Sequence, residues 1–373
     1  MAKAPFDALF ALLLAEDAPA HVAAHHAALE HALSARVLPE ALTRLETHKV
    51  LPLLAHQLTR AGRIATIDGD ARARLELAQR KVRELNQVLF VSASLALKLA
   101  QEAECAPLVL KGLLLADSYY PDPSTRPMGD FDLVAPPGQF ERLQRALERA
   151  GFTPVMDHVE QEHAVAFANR MGVSCDVHAY LESYPQLDWA AWTRHSKLQR
   201  VHGVSLRTLE PNLMLAHAID HLYGHARETG LVLLWLIDIA LMLRRHAAEF
   251  DLGMLRALLG RPAMWVFLLR VLGLLEHHGV ALPAALAPLR GPITKLPALS
   301  LAQVMRGRRT LPWGLPAPLG YLRLLATSLS LRDYAQHASR SRPHAIDVLL
   351  LPLDMLITRL AENALSRVIE CDS

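Results

Sequence analysis

Gly129-Asp130-Phe131-Asp132-Leu133-Val134, residues 129–134, decides how this chain folds. Side chains two apart on a strand project to the same face. Asp130 and Asp132 therefore share one face, and Phe131 and Leu133 share the other, buried one. Two carboxylates held side by side repel unless a cation lies between them. A hard divalent ion such as Mg²⁺ takes oxygen ligands of this kind and brings a nucleotide's phosphates with it. An Asp-x-Asp alone is common and is ordinarily a solvated strand edge or turn, so the neighbouring sequence has to decide.

Upstream, Ala106-Pro107 closes a helix, and Leu108-Val109-Leu110 suits a short buried strand. Lys111-Gly112 follows, and a Leu-rich helix runs to about Tyr120. Pro121, Pro123 and Pro127 mark a loop. Downstream, Pro136-Pro137-Gly138 ends the Asp-x-Asp strand. Phe140 to Ala150 is an amphipathic helix with Gly151 as its C-terminal stop. From Phe152 to Tyr180 the chain reads as short strands, with Ala164–Ala168 and Val173–His178 pairing across the Asn169–Gly172 turn. Ser174, Asp176 and His178 then share a face, and Cys175 and Val177 lie on the other. If this strand lies beside the first, Asp176 completes a three-carboxylate cluster. Three acids can hold two metal ions, one polarising an attacking hydroxyl and one neutralising a leaving pyrophosphate.

These pieces in this order resemble the uncharacterised nucleotidyltransferase family, a branch of the polymerase-beta-like nucleotidyltransferase superfamily. The resemblance is carried by L-K-G (110–112), Tyr119-Tyr120-Pro121, Arg126, G-D-F-D-L-V (129–134), Ala150-Gly151-Phe152 and C-D-V-H (175–178). Downstream, L-E-P-N-L-M-L-A-H-A-I-D-H-L (209–222) and L-L-W-L-I-D-I-A-L-M-L (233–243) also look like that family's helical segment. The likeness covers roughly residues 75–260. It implies a small mixed sheet with flanking helices and a helical lobe. It also implies Mg²⁺-dependent transfer of a nucleotidyl group from a nucleoside triphosphate, with two ions. On this chain Asp130 and Asp132 would bind metal, and Asp176 would bind metal or help deprotonate the acceptor hydroxyl. Lys111 and Gly112 replace the Gly-Gly or Gly-Ser turn of the wider superfamily. Gly112 permits close backbone approach, and Lys111 supplies a positive charge in place of a serine contact to the triphosphate. His178 joins the nucleotide-binding set. Arg126 is either a phosphate clamp or a tether for its loop through Asp130 or Asp117. Tyr119 and Tyr120 are expected to pack rather than to stack on a base.

Composition sets the frame. The 373 residues favour two or three lobes, and 52% hydrophobic content gives ample material for burial. The expected fold is α+β and mostly helical. An N-terminal helical region (1–74) precedes a nucleotidyltransferase-like core (75–205), and a C-terminal helical region (206–373) follows. Net charge is +2, with Lys and Arg interspersed among acids, so no polynucleotide partner is expected. The expected partners are a nucleoside triphosphate and a small-molecule, sugar or protein acceptor. Cys105, Cys175 and Cys371 match no zinc spacing and suit a reducing, cytoplasmic setting. The opening residues read as a helix rather than a secretion signal, because Asp7 interrupts their apolar run. No transmembrane span is expected.

Three further features stand outside the motif. His217, His221 and His225 are spaced by four and form one helical stripe. They have no zinc-binding companion; partly buried polar side chains with backbone partners are the plainest reading, and a helix packed against the catalytic cleft, with His217 or His221 near nucleotide or acceptor, is the functional alternative. Asp238, within Leu-rich sequence, reads as a buried acid needing a partner such as Arg227, Arg244 or a stripe histidine. The apolar helix expected over Asp347–Ile369 packs onto the helical lobe, with a membrane-surface contact as the alternative.

Overall fold

The computed structural model describes residues 5–155, 164–179, 187–228, 230–296 and 299–305. Within them the period-two apolar stretches form one mixed sheet. Its strands are β1 (Leu108–Val109), β2 (Asp130–Val134), β3 (Phe152–Pro154), β4 (Ala164–Asn169), β5 (Ser174–His178), β6 (Ser196–Val201) and β7 (Val204–Leu209). The order across the sheet is β3-β4-β5-β2-β1-β7-β6. The β2–β5 and β1–β7 pairs are parallel and the rest antiparallel. The sheet is larger than expected, because the β6–β7 hairpin extends it beyond β1. The β4–β5 hairpin forms where the Asn169–Gly172 turn places it. Asn169 Oδ1 accepts from the Met171 and Val173 amides at 3.0 and 3.1 Å, and Gly172 takes the positive φ of 77°.

Five helices precede the sheet: α1 (Pro5–Leu13), α2 (Ala18–Ala24), α3 (His26–Leu33), α4 (Leu38–Thr47) and α5 (Leu51–Arg60). Leu9, Phe10, Leu12, Leu29, Leu54 and Leu58 are fully buried where α1, α3 and α5 meet. The long α6 (Gly69–Glu102) follows. It starts at Asp68, whose carboxylate caps the amides of Asp70 and Ala71. α7 (Gly112–Ser118) and α8 (Phe140–Arg149) flank β2 in sequence. α8 buries Leu143, Ala146 and Leu147, and it packs against both α6 and β3. Under the sheet Phe131 of β2 meets Phe152 of β3 edge-on, with ring centroids 5.8 Å apart.

The later helices are α9 (Trp189–Arg194), α10 (Pro211–Glu228), α11 (Leu233–Arg245), α12 (Leu252–Leu258), α13 (Pro262–His277), α14 (Arg290–Lys295) and α15 (Leu301–Met305). The start expected at Glu210-Pro211 is the start of α10. The Glu210 carboxylate accepts there from the Asn212 and Leu213 amides at 3.3 and 3.1 Å. Among the described residues no helix is long and apolar enough to cross a membrane. The helix expected over 347–369 lies outside the described residues.

The chain divides into two compact units, Met1–Leu215 with Ile237–His246, and Ala216–Leu236 with Ala247–Ser373. The boundaries expected after residues 74 and 205 fall inside α6 and β7. In the first unit the N-terminal helices pack onto α6 through α5. In the second unit Tyr223 and Phe267 meet edge-on at 5.4 Å, and Arg261 pairs with Asp220 at 2.6 Å. Gly273 lets α13 and α14 approach closely: a Cβ there would lie 2.9 Å from Ile293 Cγ2.

Candidate functional site

β1 sets the position of the Lys-Gly turn. Leu108 and Val109 pair with Val134 and Leu133, and the Leu110 amide donates to the Asp132 carbonyl at 3.0 Å. Two residues later the chain turns into α7 beside Asp130. A Cβ on Gly112 would lie 3.7 Å from the Asp130 carbonyl oxygen and 3.6 Å from Arg126 Nη1. That is ordinary contact, and Gly112 has no positive φ. The strained residue of the turn is Lys111, at φ 29° and ψ −93°.

The parallel pairing of β2 with β5 places Asp130 beside Ser174, Asp132 beside Asp176 and Val134 beside His178. Residues paired in this way on neighbouring strands sit about 5 Å apart and share a face. The three aspartates expected from the sequence therefore lie on one face of two adjacent strands. The opposite face of both strands is core: Phe131, Leu133 and Cys175 have no exposure, and Val177 has almost none. His178 Nε2 lies 3.6 Å from Asp132 Oδ1, an ion-pair distance rather than a hydrogen bond.

Two pKa shifts follow from this proximity. Burial and then the Asp132 charge raise the pKa of Asp130, while Lys111, Lys49 and Arg126 oppose the rise. The Cys175 thiol is raised well above its ordinary value by burial, then by Asp132, Asp176 and Asp130. All three negative charges thus reach one buried sulfur. Among the described residues no three or more His, Cys, Asp or Glu side chains converge as a ready-made metal cage. The aspartates share a face and a field without closing on a common point.

Arg126 departs from the expected pairings. Its Nε and Nη2 donate to Asp238 Oδ1 and Oδ2 at 2.9 and 2.8 Å, both side chains being buried. Burial alone would lower the guanidinium's pKa. The charge and hydrogen bonds of Asp238 override that and raise it. The tether is real, but its partner is neither Asp130 nor Asp117; Asp117 instead faces His202 at 3.4 Å. Asp238 correspondingly takes Arg126, and Arg244 pairs with Glu16 at 3.0 Å. The Tyr120 hydroxyl donates to the same Asp238 Oδ1 at 2.8 Å. Asn86 of α6 donates to the Pro123 and Arg126 carbonyls at 2.7 and 2.9 Å, which fixes the loop leading into β2. Tyr119 is also buried, its hydroxyl oxygen 2.5 Å from His246 Nε2, so both tyrosines pack, as expected.

His217 and His221 lie on α10 in the second unit. His217 is buried. His221 Nε2 sits 3.1 Å from His225 Nε2, and both rings lie against Trp235. Sequence reasoning missed Lys49, which joins Lys111 in acting on Asp130. It lies in the turn between α4 and α5, and nothing in the local sequence ties it to a residue eighty positions away.

A family model described as uncharacterised nucleotidyltransferase matches residues 34–278. The match extends beyond the expected 75–260 at both ends and takes in α4, α5 and all of α13. A solved structure, of an antigenic nucleotidyltransferase-like protein from Paracoccidioides brasiliensis, aligns with 48% of this chain and 86% of its own, at 19% identity and a TM-score of 0.32. No curated protein matches.

Proposed function

The chain belongs to the uncharacterised nucleotidyltransferase family, and from that premise we propose that it moves a nucleoside monophosphate from a nucleoside triphosphate to a hydroxyl-bearing acceptor. Asp130, Asp132 and Asp176 would hold Mg²⁺. The observation that carries this reading is the β2–β5 register, which sets Asp132 against Asp176 with Asp130 two residues back on the same face. The donors fit the ion: all are carboxylate oxygens, and the mutual repulsion of Asp130 and Asp132 is what a divalent cation relieves. Mg²⁺ is ordinarily held by one or two protein carboxylates, with water and phosphate oxygens filling its other positions. A closed cage of three side chains is therefore not required of this site. When bound, the ion supplies polarisation of phosphate oxygens and charge for the leaving pyrophosphate.

The chain's own residues divide the remaining work. Asp176, a partly exposed carboxylate beside Asp132, takes the proton of the acceptor hydroxyl or joins the metal site. Lys111 meets the phosphates, with Gly112 leaving its side of the turn uncrowded. His178 orients Asp132 from 3.6 Å and contacts the nucleotide. Arg126 contributes through its Nη1 edge beside Gly112, the other edge being fixed by Asp238. Sugar, small-molecule and protein hydroxyls all suit this chemistry as acceptors.

The test is incubation with Mg²⁺ and each α-labelled nucleoside triphosphate. Pyrophosphate release and label transfer are expected, and Asp130→Ala and Asp176→Asn should each abolish them with the fold intact. A wild-type protein that binds no nucleoside triphosphate in the presence of Mg²⁺ would end the reading. Binding without pyrophosphate release would instead select a non-catalytic nucleotide-binding module.

A further inference from the structure

The exposed apolar side chains of this protein are not scattered. Among the described residues six large ones stand exposed, and four of them, Leu77, Leu85, Val91 and Leu95, lie on α6. Single exposed apolar residues are ordinary, but several on one element mark an interaction surface. α6 is 34 residues long, about 50 Å of helix. Its buried side chains, among them Leu75, Leu89, Ala93 and Ala100, recur at three- and four-residue spacing or its multiples and face the fold. On the other side Leu77, Val88, Val91 and Leu95 follow one another at whole-turn spacings and make a second stripe. Val91, at the middle of that stripe, is 67% exposed, so no described residue covers it.

The charges along the stripe say what does. Glu84 and Lys98 lie seven residues to either side of Val91, and Arg80 and Glu102 lie eleven residues to either side. Seven and eleven residues are close to two and three whole turns, so all four side chains return to within about 20° of Val91 around the helix. All four are exposed, and within each pair the signs are opposite. A second α6 laid antiparallel, with a two-fold axis at Val91, therefore sets Glu84 against the copy's Lys98 and Arg80 against the copy's Glu102. Sliding that copy by four residues sets Glu84 against Glu102 or Arg80 against Lys98, and a parallel copy in register sets each charge against itself. One register alone is attractive throughout. In it Val91 meets its own copy, and Val88 lies about 1.5 Å along the axis from the copy's Leu95, so apolar side chains close on each other between the charged pairs. Glu102 Oε2 also meets Arg149 of its own chain at 3.4 Å, a weak exposed contact.

We propose that α6 is the self-association surface of this protein, and that two copies pair through antiparallel α6 helices about a two-fold axis at Val91. Such an interface is isologous: each residue that meets another in the copy is met by it in return. Asn86, which holds the loop entering β2, lies on the buried side of α6. The pairing therefore does not depend on the aspartate face or on the nucleotidyl-transfer reading.

The experiment is sedimentation velocity on the full chain over a range of about 1 to 100 µM, which spans the affinities of modest interfaces. The wild type should pass from monomer to dimer as its concentration rises. Val91→Glu places two carboxylates at the axis and should remain a monomer throughout. Glu84→Lys and Lys98→Glu should each weaken the dimer at least about tenfold, because the symmetry turns every change into two like-charge contacts. The double variant Glu84→Lys with Lys98→Glu should return to within about threefold of the wild type, since the pairs are restored with their signs exchanged. All of these side chains are exposed, so melting temperatures of the dilute monomers should match. A wild type that stays monomeric over the whole range would overturn the proposal and leave the stripe to a different occupant. A dimer that survives Val91→Glu, or a double variant as weak as the single ones, would also overturn it, since the copies would then meet through another face or in another register.

Discussion

Arg126 and Asp238 show how much of this site depends on residues that never touch its face. The pair is buried and bidentate, and it also holds the Tyr120 hydroxyl. Removing one partner strands a buried charge, so Arg126→Ala should cost about 3–5 kcal/mol in urea unfolding. Replacing all three groups with apolar ones (Arg126→Met, Asp238→Leu, Tyr120→Phe) should recover most of that loss. Failure to recover would mean that the network specifies the loop conformation rather than merely satisfying charge. Asp130 carries the opposite sign. Its folded pKa lies above the ordinary 3.8, so between those two values the native state holds more protons than the unfolded chain. Stability therefore falls as pH rises through that window and then levels off. Asp130→Asn should melt slightly higher than wild type at neutral pH, by well under about 1 kcal/mol, because solvent still reaches the side chain that the surrounding protein partly desolvates and screens its charge. The difference should vanish below about pH 3. The three aspartates were legible because a strand's period of two announces which side chains share a face. The Arg126–Asp238 pair was not: with 39 Lys and Arg against 37 Asp and Glu, composition offers many pairings and spacing favours none over a separation of 112 residues.

Alternation makes β2 both core and site, and the two roles are mechanically coupled. Phe131 has no exposure and stands between Asp130 and Asp132. Phe131→Ala should cost about 3–5 kcal/mol in chemical denaturation, and in the folded fraction it should also weaken nucleotide binding. A variant that loses stability yet binds nucleotide normally would show that the register of β2 is held by its neighbours alone. In the second unit, Gly273→Val sets a branched side chain against Ile293, where a Cβ would already lie 2.9 Å away. Overpacking of this kind costs about 1–3 kcal/mol, measurable as a lowered melting temperature. The β4–β5 hairpin was legible from its Asn–Gly turn, and α8 from its amphipathic pattern and the Gly151 stop. The β6–β7 hairpin was not. β6 is an edge strand with Leu198 outward and a single fully buried residue, Val201, so its apolar alternation is weak. Its turn is His202-Gly203, both at positive φ, and histidine is a less familiar signal there than asparagine. That histidine is held by its ring stacked on Phe90 at 3.9 Å and by Asp117, contacts that sequence pattern does not reveal.

For the molecule as a whole, the family match and the folding unit have different edges. The match begins at Ser34, one residue after α3 ends, yet α1–α3 belong to the same compact unit as the site. Leu9, Phe10, Leu12 and Leu29 are fully buried, and Gln57 of α5 donates to the Ala15 carbonyl at 2.8 Å. Each such apolar side chain contributes about 1.5–3 kcal/mol by burial, an upper figure because the unfolded chain is already partly compact. Four of them together approach the whole stability of a typical domain, about 5–15 kcal/mol. A protein lacking residues 1–33 should therefore melt markedly lower and bind a hydrophobic dye through the uncovered face of α5, even though every residue of the family match is present. The consequence reaches the site, because α5 packs on α6, and Asn86 of α6 holds the Pro123 and Arg126 carbonyls of the loop leading into β2. Once α5 loses its cover, α6 loses part of the support that fixes this loop. Triphosphate affinity should then drop along with the melting temperature. An unchanged melting point with no dye binding would show that α1–α3 rest on the unit without supporting it.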